Sequence, residues 1–202
     1  QIVGIELSLD FYEAQRKELL TALYKSVRLN AESDNHRIYK NENRFTPIPK
    51  KLHELSNKLN SGYCIGIGHR DYADIRYRAY YKTTDRGYNL PECEHRPRFE
   101  TTIEKDAFTG INCSIHNMCE IIKKGFNHLT FTRLSDKATL EQRKEYREKV
   151  KPFGMECMPF RSSNGHKRSL PEHIEDYAEL NKLVRASVDN LIRCFAQKSH
   201  QK

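Results

Sequence analysis

The sequence predicts an α+β fold: a mainly antiparallel sheet with helices packed on one face, plus a C-terminal helical segment. Three observations predict it. Apolar and polar residues alternate with a period of two over 2–12, 74–82 and 96–104, as half-buried strands require. Apolar residues recur every three or four positions over 13–29 and 170–197, as amphipathic helices require. The resulting order, β-α-α-β-β-β-α-β-α-α, is that of an α+β domain.

In the first strand Ile5, Leu7, Leu9 and Phe11 share one face and Glu6, Ser8 and Asp10 the other, a carboxylate-bearing open face. The first helix carries Leu19, Leu20, Leu23 and Val27 as its stripe. Residues 30–48 are polar and read as a long loop. Pro49 opens a short helix with Leu52, Leu55 and Leu59 on one side. After the turn Asn60-Ser61-Gly62 comes a strand at 63–68, then one at 74–82. A connection containing Gly87, Asn89 and Pro91 leads to the strand at 96–104. A helix over 114–125 turns Ile115, Met118, Ile121 and Ile122 to the core, with Gly125 as its C-cap. Residues 126–134 form a strand or extended edge, 139–150 a charged helix, and 151–169 a linker rich in Pro and Gly. The last helix, 170–197, bears Leu180, Leu183, Val184, Val188, Leu191 and Ile192. Two regions follow: an α+β domain at 1–132, and a helical extension at 133–202 that forms an arm or docks on the first.

Composition narrows the function. The 202 residues carry 35 Lys and Arg against 27 Asp and Glu, a net +8. That balance suits a polyanion partner. Nine Phe and eleven Tyr supply core bulk, which excludes a collagen-like or wholly disordered chain. No apolar run approaches the 18 residues of a membrane span, so no membrane partner is expected. The six cysteines are scattered, as reduced thiols of a cytoplasmic protein would be. The chain opens on Gln1 and reads as a piece of a longer protein.

Chemistry concentrates in 62–104. Period-two alternation puts Asp74, Arg76, Arg78, Tyr80 and Lys82 on one face of their strand, and Ile75, Tyr77, Ala79 and Tyr81 on the other. Arg96, Arg98, Glu100, Thr102 and Glu104 likewise lie opposite Phe99, Thr101 and Ile103. If these strands share a sheet with the first, its open face gathers carboxylates, arginines, a lysine and a tyrosine. Transfer of a phosphodiester to tyrosine needs that mixture. A phenol with an ordinary pKa of about 10 is a weak nucleophile until a cation favours its phenolate. Arginines and a carboxylate-held cation stabilise the charge that builds on phosphate. Cross-strand ion pairs on a solvated face would produce the same alternation without any chemistry.

Arg78-Ala79-Tyr80-Tyr81-Lys82, followed sixteen positions after Lys82 by Arg98-Phe99-Glu100, resembles the R-x-Y-x-K … R-x-E pattern of Rep_trans-type rolling-circle replication initiators of plasmids and phages. The segments 62–68 and 5–10 are similar to that family's glycine-containing strand and its opening acidic strand. The resemblance covers roughly 1–125. It implies an enzyme that nicks one strand of origin DNA, single-stranded or cruciform, leaving a 5′-phosphotyrosyl link and a free 3′-OH. It implies Tyr80 as nucleophile with Arg78 and Lys82 beside it. Glu100 with Glu6 or Asp10 would hold Mg²⁺ or Mn²⁺, and Arg98 and Arg76 would hold phosphate. The family usually has an acidic residue where Tyr81 stands, so either tyrosine could attack; face alternation favours Tyr80. Host helicase or polymerase and a second copy of the chain are expected partners. The alternative is a non-catalytic, single-stranded-DNA-binding protein using the same face.

Other segments are weaker candidates. His69 and Arg70, after Gly66-Ile67-Gly68, could contact phosphate, as could Lys167 and Arg168 in the basic stretch 161–168. Lys123-Lys124 and Lys149-Val150-Lys151 read as solvated helix ends. Cys113, His116 and Cys119, with Cys93 and His95, have the look of a zinc set, but core cysteines explain them as well.

Overall fold

The computed structural model describes residues 4–12, 18–29, 36–41, 44–69, 73–108, 117–126, 129–151 and 170–199. Its main element is a six-stranded antiparallel sheet in the order β1-β9-β6-β5-β3-β4. The strands are β1 (Gly4–Asp10), β3 (His36–Asn41), β4 (Arg44–Pro47), β5 (Cys64–Ile67), β6 (Ile75–Lys82) and β9 (Arg96–Glu104). A smaller antiparallel sheet orders β11 (Ile174–Asp176), β10 (Leu129–Leu134) and β2 (Val27–Leu29). The α+β expectation holds, with five α-helices among the described residues.

Alternation decides the faces of the large sheet. Leu7, Ile38, Ile65, Ile67, Tyr77, Ala79, Phe99 and Ile103 turn to one side and are buried. Helices α1 (Glu18–Ser26), α2 (Leu52–Asn60) and α3 (Met118–Phe126) supply Leu20, Leu23, Leu55, Leu59, Ile121 and Ile122 to the same core. Fully burying each such side chain contributes roughly 1.5–3 kcal/mol. The other face of the sheet carries the polar set.

Several boundaries differ from expectation. The stretch read as a loop at 30–48 contains the hairpin β3–β4, which forms one edge of the sheet. Its residues are mostly charged or polar, which suits an edge strand and conceals it from an apolar-pattern search. The first helix ends at Ser26, and Val27–Leu29 leaves it to pair with β10. The strand β10 is the centre of its sheet and not an edge. Residues Ile174–Asp176, read as helix, are strand; the last helix, α5, is Ala178–Ser199. On it Val184 is buried while Leu183, placed in the core stripe, faces solvent. Gly125 caps nothing. It lies inside α3, where an added Cβ would stand 2.9 Å from Leu7 Cδ1 and 3.3 Å from Ile103 Cδ1. Its missing side chain lets the helix approach the sheet.

The connection between β6 and β9 contains a small hairpin, β7 (Thr84–Asp85) and β8 (Tyr88–Asn89). Arg86 and Gly87 turn it, with φ of 47° and 85°. Positive φ at both central residues is the type I′ geometry that matches strand twist. The charged helix is α4 (Leu140–Glu148); Thr139 and Gln142 form a reciprocal capping box at its start.

The C-terminal region is docked. The strand β10 pairs with β2 on one side and β11 on the other, so a boundary at 132 runs through a strand. Asn181 of α5 seals the junction. The Phe131 N–H donates to its Oδ1 at 2.8 Å, and its Nδ2 donates to the Phe131 carbonyl at 2.9 Å. Lys151 is also structural, contrary to its reading as part of a solvated helix end. It is buried, and its Nζ donates to the carbonyls of Tyr24 (2.6 Å) and Val27 (2.7 Å), where α1 ends. Among the described residues no helix is long and apolar enough to cross a membrane, and no described cysteine is disulfide-bonded.

Candidate active site on the open sheet face

Register brings the predicted side chains together. Arg78 stands opposite Glu100, and Tyr80 opposite Arg98. On the other side of β9, Ser8 faces Glu100 and Asp10 faces Arg98. The pairing β5–β6 sets Gly66 opposite Arg78, and β3–β5 sets Arg37 opposite Gly66. Two rows of side chains thus cross the sheet. One runs Arg37–Gly66–Arg78–Glu100–Ser8. The other, extended one residue beyond the β5–β6 pairs, runs Tyr39–Cys64–Tyr80–Arg98–Asp10.

Glu100 is the centre of the site and only 4% exposed. Tyr80 donates its hydroxyl proton to Glu100 Oε2 at 2.9 Å. Arg78 donates through Nε (3.0 Å) and Nη2 (2.5 Å) to Glu100 Oε1. The Arg78 guanidinium also lies 4.8 Å from the centre of the Tyr80 ring. A buried carboxylate needs such donors, because an unpaired charge there is costly. Burial raises the Tyr80 phenol to about 12, with the Glu100 charge and hydrogen bond adding to it; Arg98 pulls the other way.

Asp10 is held by two arginines. Arg98 grips it bidentately at 2.6 and 2.7 Å, and Arg96 Nε lies 3.0 Å from Oδ2. Burial opposes ionisation of Asp10, but the two guanidiniums outweigh it and hold the carboxyl below its ordinary value. Arg98 and Arg78 are both kept firmly protonated by these anions.

Other predicted residues stand further off. Lys82 shares the face with Tyr80, but its ammonium pairs with Asp85 at 2.5 Å. Arg76 lies four residues along β6 from Tyr80, about 13 Å, and pairs with Glu104. Glu6 is exposed and faces Thr102, diagonal to Glu100. His69 follows β5 at the end away from Tyr80 and is not drawn into the site. Arg70, Lys167 and Arg168 lie outside the described residues, as do Cys113 and His116. Of the remaining zinc candidates, the Cys119 thiol is 3.9 Å from the Ile192 carbonyl, and the His95 ring meets Tyr81 edge to face. Among the described residues no three His, Cys, Asp or Glu side chains gather as a metal-ligand group.

Tyr81 packs against the hydrophobic core, so alternation separated the two tyrosines as expected. Arg37, Tyr39 and Phe45 share the site's face, and the sequence does not single them out because their segment, 30–48, is polar enough to read as loop. Arg37-Ile38-Tyr39 does alternate, a strand signal that this polar stretch carries. The chain matches no protein-family model and no curated protein.

Proposed function

We propose that this chain nicks and rejoins one strand of DNA through Tyr80, as a replication initiator of the Rep_trans kind does. One arrangement carries the reading: the Tyr80 hydroxyl bonded to Glu100, with Arg78 and Arg98 on either side, on the sheet face opposite the core that α1, α2 and α3 complete. In the proposed step the Tyr80 oxygen attacks the scissile phosphorus. Its proton passes to Glu100 Oε2, the acceptor it already bonds. The P–O3′ bond breaks, the 3′ oxygen takes a proton from solvent water, and a 5′-phosphotyrosyl ester remains. Arg78 and Arg98 stabilise charge on the phosphate oxygens. The reverse sequence rejoins the strand.

Hard carboxylate oxygens are of the chemistry that Mg²⁺ or Mn²⁺ takes: Glu6, exposed and one diagonal step from Glu100, would offer its own, and Glu100 would have to share an oxygen that Arg78 or Tyr80 now bonds; such an ion would neutralise phosphate charge as a Lewis acid. The experiment is incubation with a supercoiled origin plasmid and Mg²⁺ or Mn²⁺. A nick and a denaturation-resistant protein–DNA adduct are expected, both lost in Tyr80→Phe and with chelator, and both kept in Tyr81→Phe. An adduct that survives in Tyr80→Phe rejects the assignment.

One observation favours a second reading. A phenol raised to about 12 and tied to a carboxylate makes a sound structural hydrogen bond and a reluctant nucleophile. On that reading the face binds single-stranded DNA without cutting it, and binding is salt-sensitive with no adduct.

A further inference from the structure

Aromatic rings pair with arginines from one side of the open face to the other. Arg37 lies 5.9 Å from the centre of the Tyr39 ring, Arg78 4.8 Å from Tyr80, and Arg96 4.6 Å from Tyr12. At the flanks the aromatics are exposed. Phe45 is 62% exposed and Tyr12 57%. Phe45 pairs directly with Tyr39, so it continues the row Tyr39–Cys64–Tyr80–Arg98–Asp10 onto the edge strand. Tyr12 follows β1 at the opposite edge and covers Arg96.

Gly66 keeps the floor of this track low. A Cβ there would stand 2.9 Å from the Tyr39 ring and 3.3 Å from the Arg37 guanidinium. Its absence lets both side chains lie down over β5 between the edge and Tyr80. Phe45 on β4 is three strand spacings from Tyr80, about 14 Å, and β1 is two spacings beyond Tyr80, about 10 Å. Phe45 is a large apolar side chain left mostly exposed beside polar and tyrosine side chains. Rings interleaved with guanidiniums fit a strand whose bases are unpaired: each base offers a π face, and each intervening phosphate a charge. A duplex keeps its π faces stacked inside and offers nothing for Phe45 or Tyr12 to cover. The chain's net charge of +8 has the sign that such a partner requires.

We infer that single-stranded DNA crosses the sheet from β4 to β1, with Phe45 and Tyr12 each stacking a base on either side of the nucleotide at Tyr80. This rests on the reading that the face meets DNA, and it adds the path and the two flanking subsites. Cutting chemistry is not required for it.

The test is fluorescence anisotropy with labelled dT20, the dA20·dT20 duplex and rU20 at fixed salt, beside the adduct assay. Wild type should bind dT20 at least ten-fold more tightly than the duplex. Phe45→Ala and Tyr12→Ala should each weaken dT20 binding about ten-fold, the scale of one lost base stack. Phe45→Trp should stay within two-fold of wild type. Neither alanine variant removes a charge, so the salt dependence should keep its slope. Both side chains are exposed, and unchanged melting temperatures would show intact folds. Wild-type dT20 affinity in both alanine variants overturns the inference, and so does an equal loss on the duplex. Tighter binding of rU20 than dT20 overturns the assignment to DNA. If the adduct forms but Phe45→Ala binds normally, the path is wrong and the nicking reading stands. If Phe45→Ala weakens binding and wild type forms no adduct, the path stands and the nicking reading falls.

Discussion

Asp10 holds two guanidiniums at once, and this bears on whether it serves as a clamp or as a metal ligand. Both its oxygens are engaged by Arg98, and Arg96 adds a third contact. As a clamp it fixes Arg98 beside Tyr80. Asp10→Asn should therefore lower stability by about 1–3 kcal/mol, the scale of hydrogen bonds to a charged group, and should slow adduct formation. The Mn²⁺ concentration that gives half-maximal adduct should not change. A several-fold rise in that concentration would make Asp10 a ligand after all. The variant should also lose the acid limb of stability. The folded carboxyl titrates below its ordinary value, so its contribution is present above pH 4 and disappears as pH falls further. Sequence alternation correctly put Asp10, Arg98, Tyr80 and Glu100 on one face. It could not show that Asp10 would be taken up by arginines, because that depends on a register between strands 88 residues apart. The same register set Ser8, and not Glu6 or Asp10, directly across from Glu100.

Elements were legible where one apolar stripe decided them, and illegible where tertiary pairing did. The strand expected at about 96–104 is found at Arg96–Glu104, because its alternation is strict and both its neighbours bond it. The hairpin β3–β4 was missed because an edge strand needs few apolar side chains. Gly125 looked like a helix end because glycine usually marks one; only the sheet beneath reveals it as a contact. Gly125→Ala gains roughly 1 kcal/mol of helix propensity. It also drives a methyl into Leu7 and Ile103, an overpacking that costs about 1–3 kcal/mol. The net should be a lower urea midpoint; a higher one would mean that Leu7 and Ile103 can shift without cost.

At the end of α1, Lys151 and Lys25 make a second element-scale prediction. Burial lowers Lys151 to about 7, with the nearby Lys25 charge adding to it, and burial lowers Lys25 to about 8. Their ordinary value is 10.5, so the unfolded chain binds more protons between about pH 7 and 10.5. Stability then rises with pH across that window. Tyr77 and Tyr80 act oppositely only above pH 10, where unfolded phenols ionise and the folded ones, at about 12, do not. The melting temperature should therefore climb from pH 7 to 9.5. Lys151→Met should flatten the climb and lower the melting temperature at pH 9, since the Tyr24 and Val27 carbonyls lose their donor. A melting temperature that falls over this range would mean that those carbonyls hold the ammonium form.

On the scale of the whole molecule, one side of the large sheet carries the hydrophobic core and the other the candidate site, whose ion pairs also contribute to stability. The site depends on β1, β6 and β9. Those strands rest on α1 and α3, and α3 packs on α5. The chain therefore needs its C-terminal third to hold a site built in its first half. The reading of 133–202 as an extension follows from its predicted helices and the linker between them, and helical patterning does not report that β10 lies between β2 and β11. A chain ending at 132 would lose part of β10, all of β11 and the Asn181 amide that bonds both backbone groups of Phe131. Such a fragment should show no cooperative unfolding by circular dichroism. A folded fragment would overturn this dependence. Asn181→Ala isolates one part of it. Removing the amide leaves the buried Phe131 N–H without that acceptor, while the Phe131 carbonyl keeps the Tyr177 N–H at 2.9 Å. One orphaned donor and one lost bond should cost about 2–4 kcal/mol. The same variant at a temperature where it remains folded should still form the Tyr80 adduct, because Asn181 supports the platform and touches nothing on the open face.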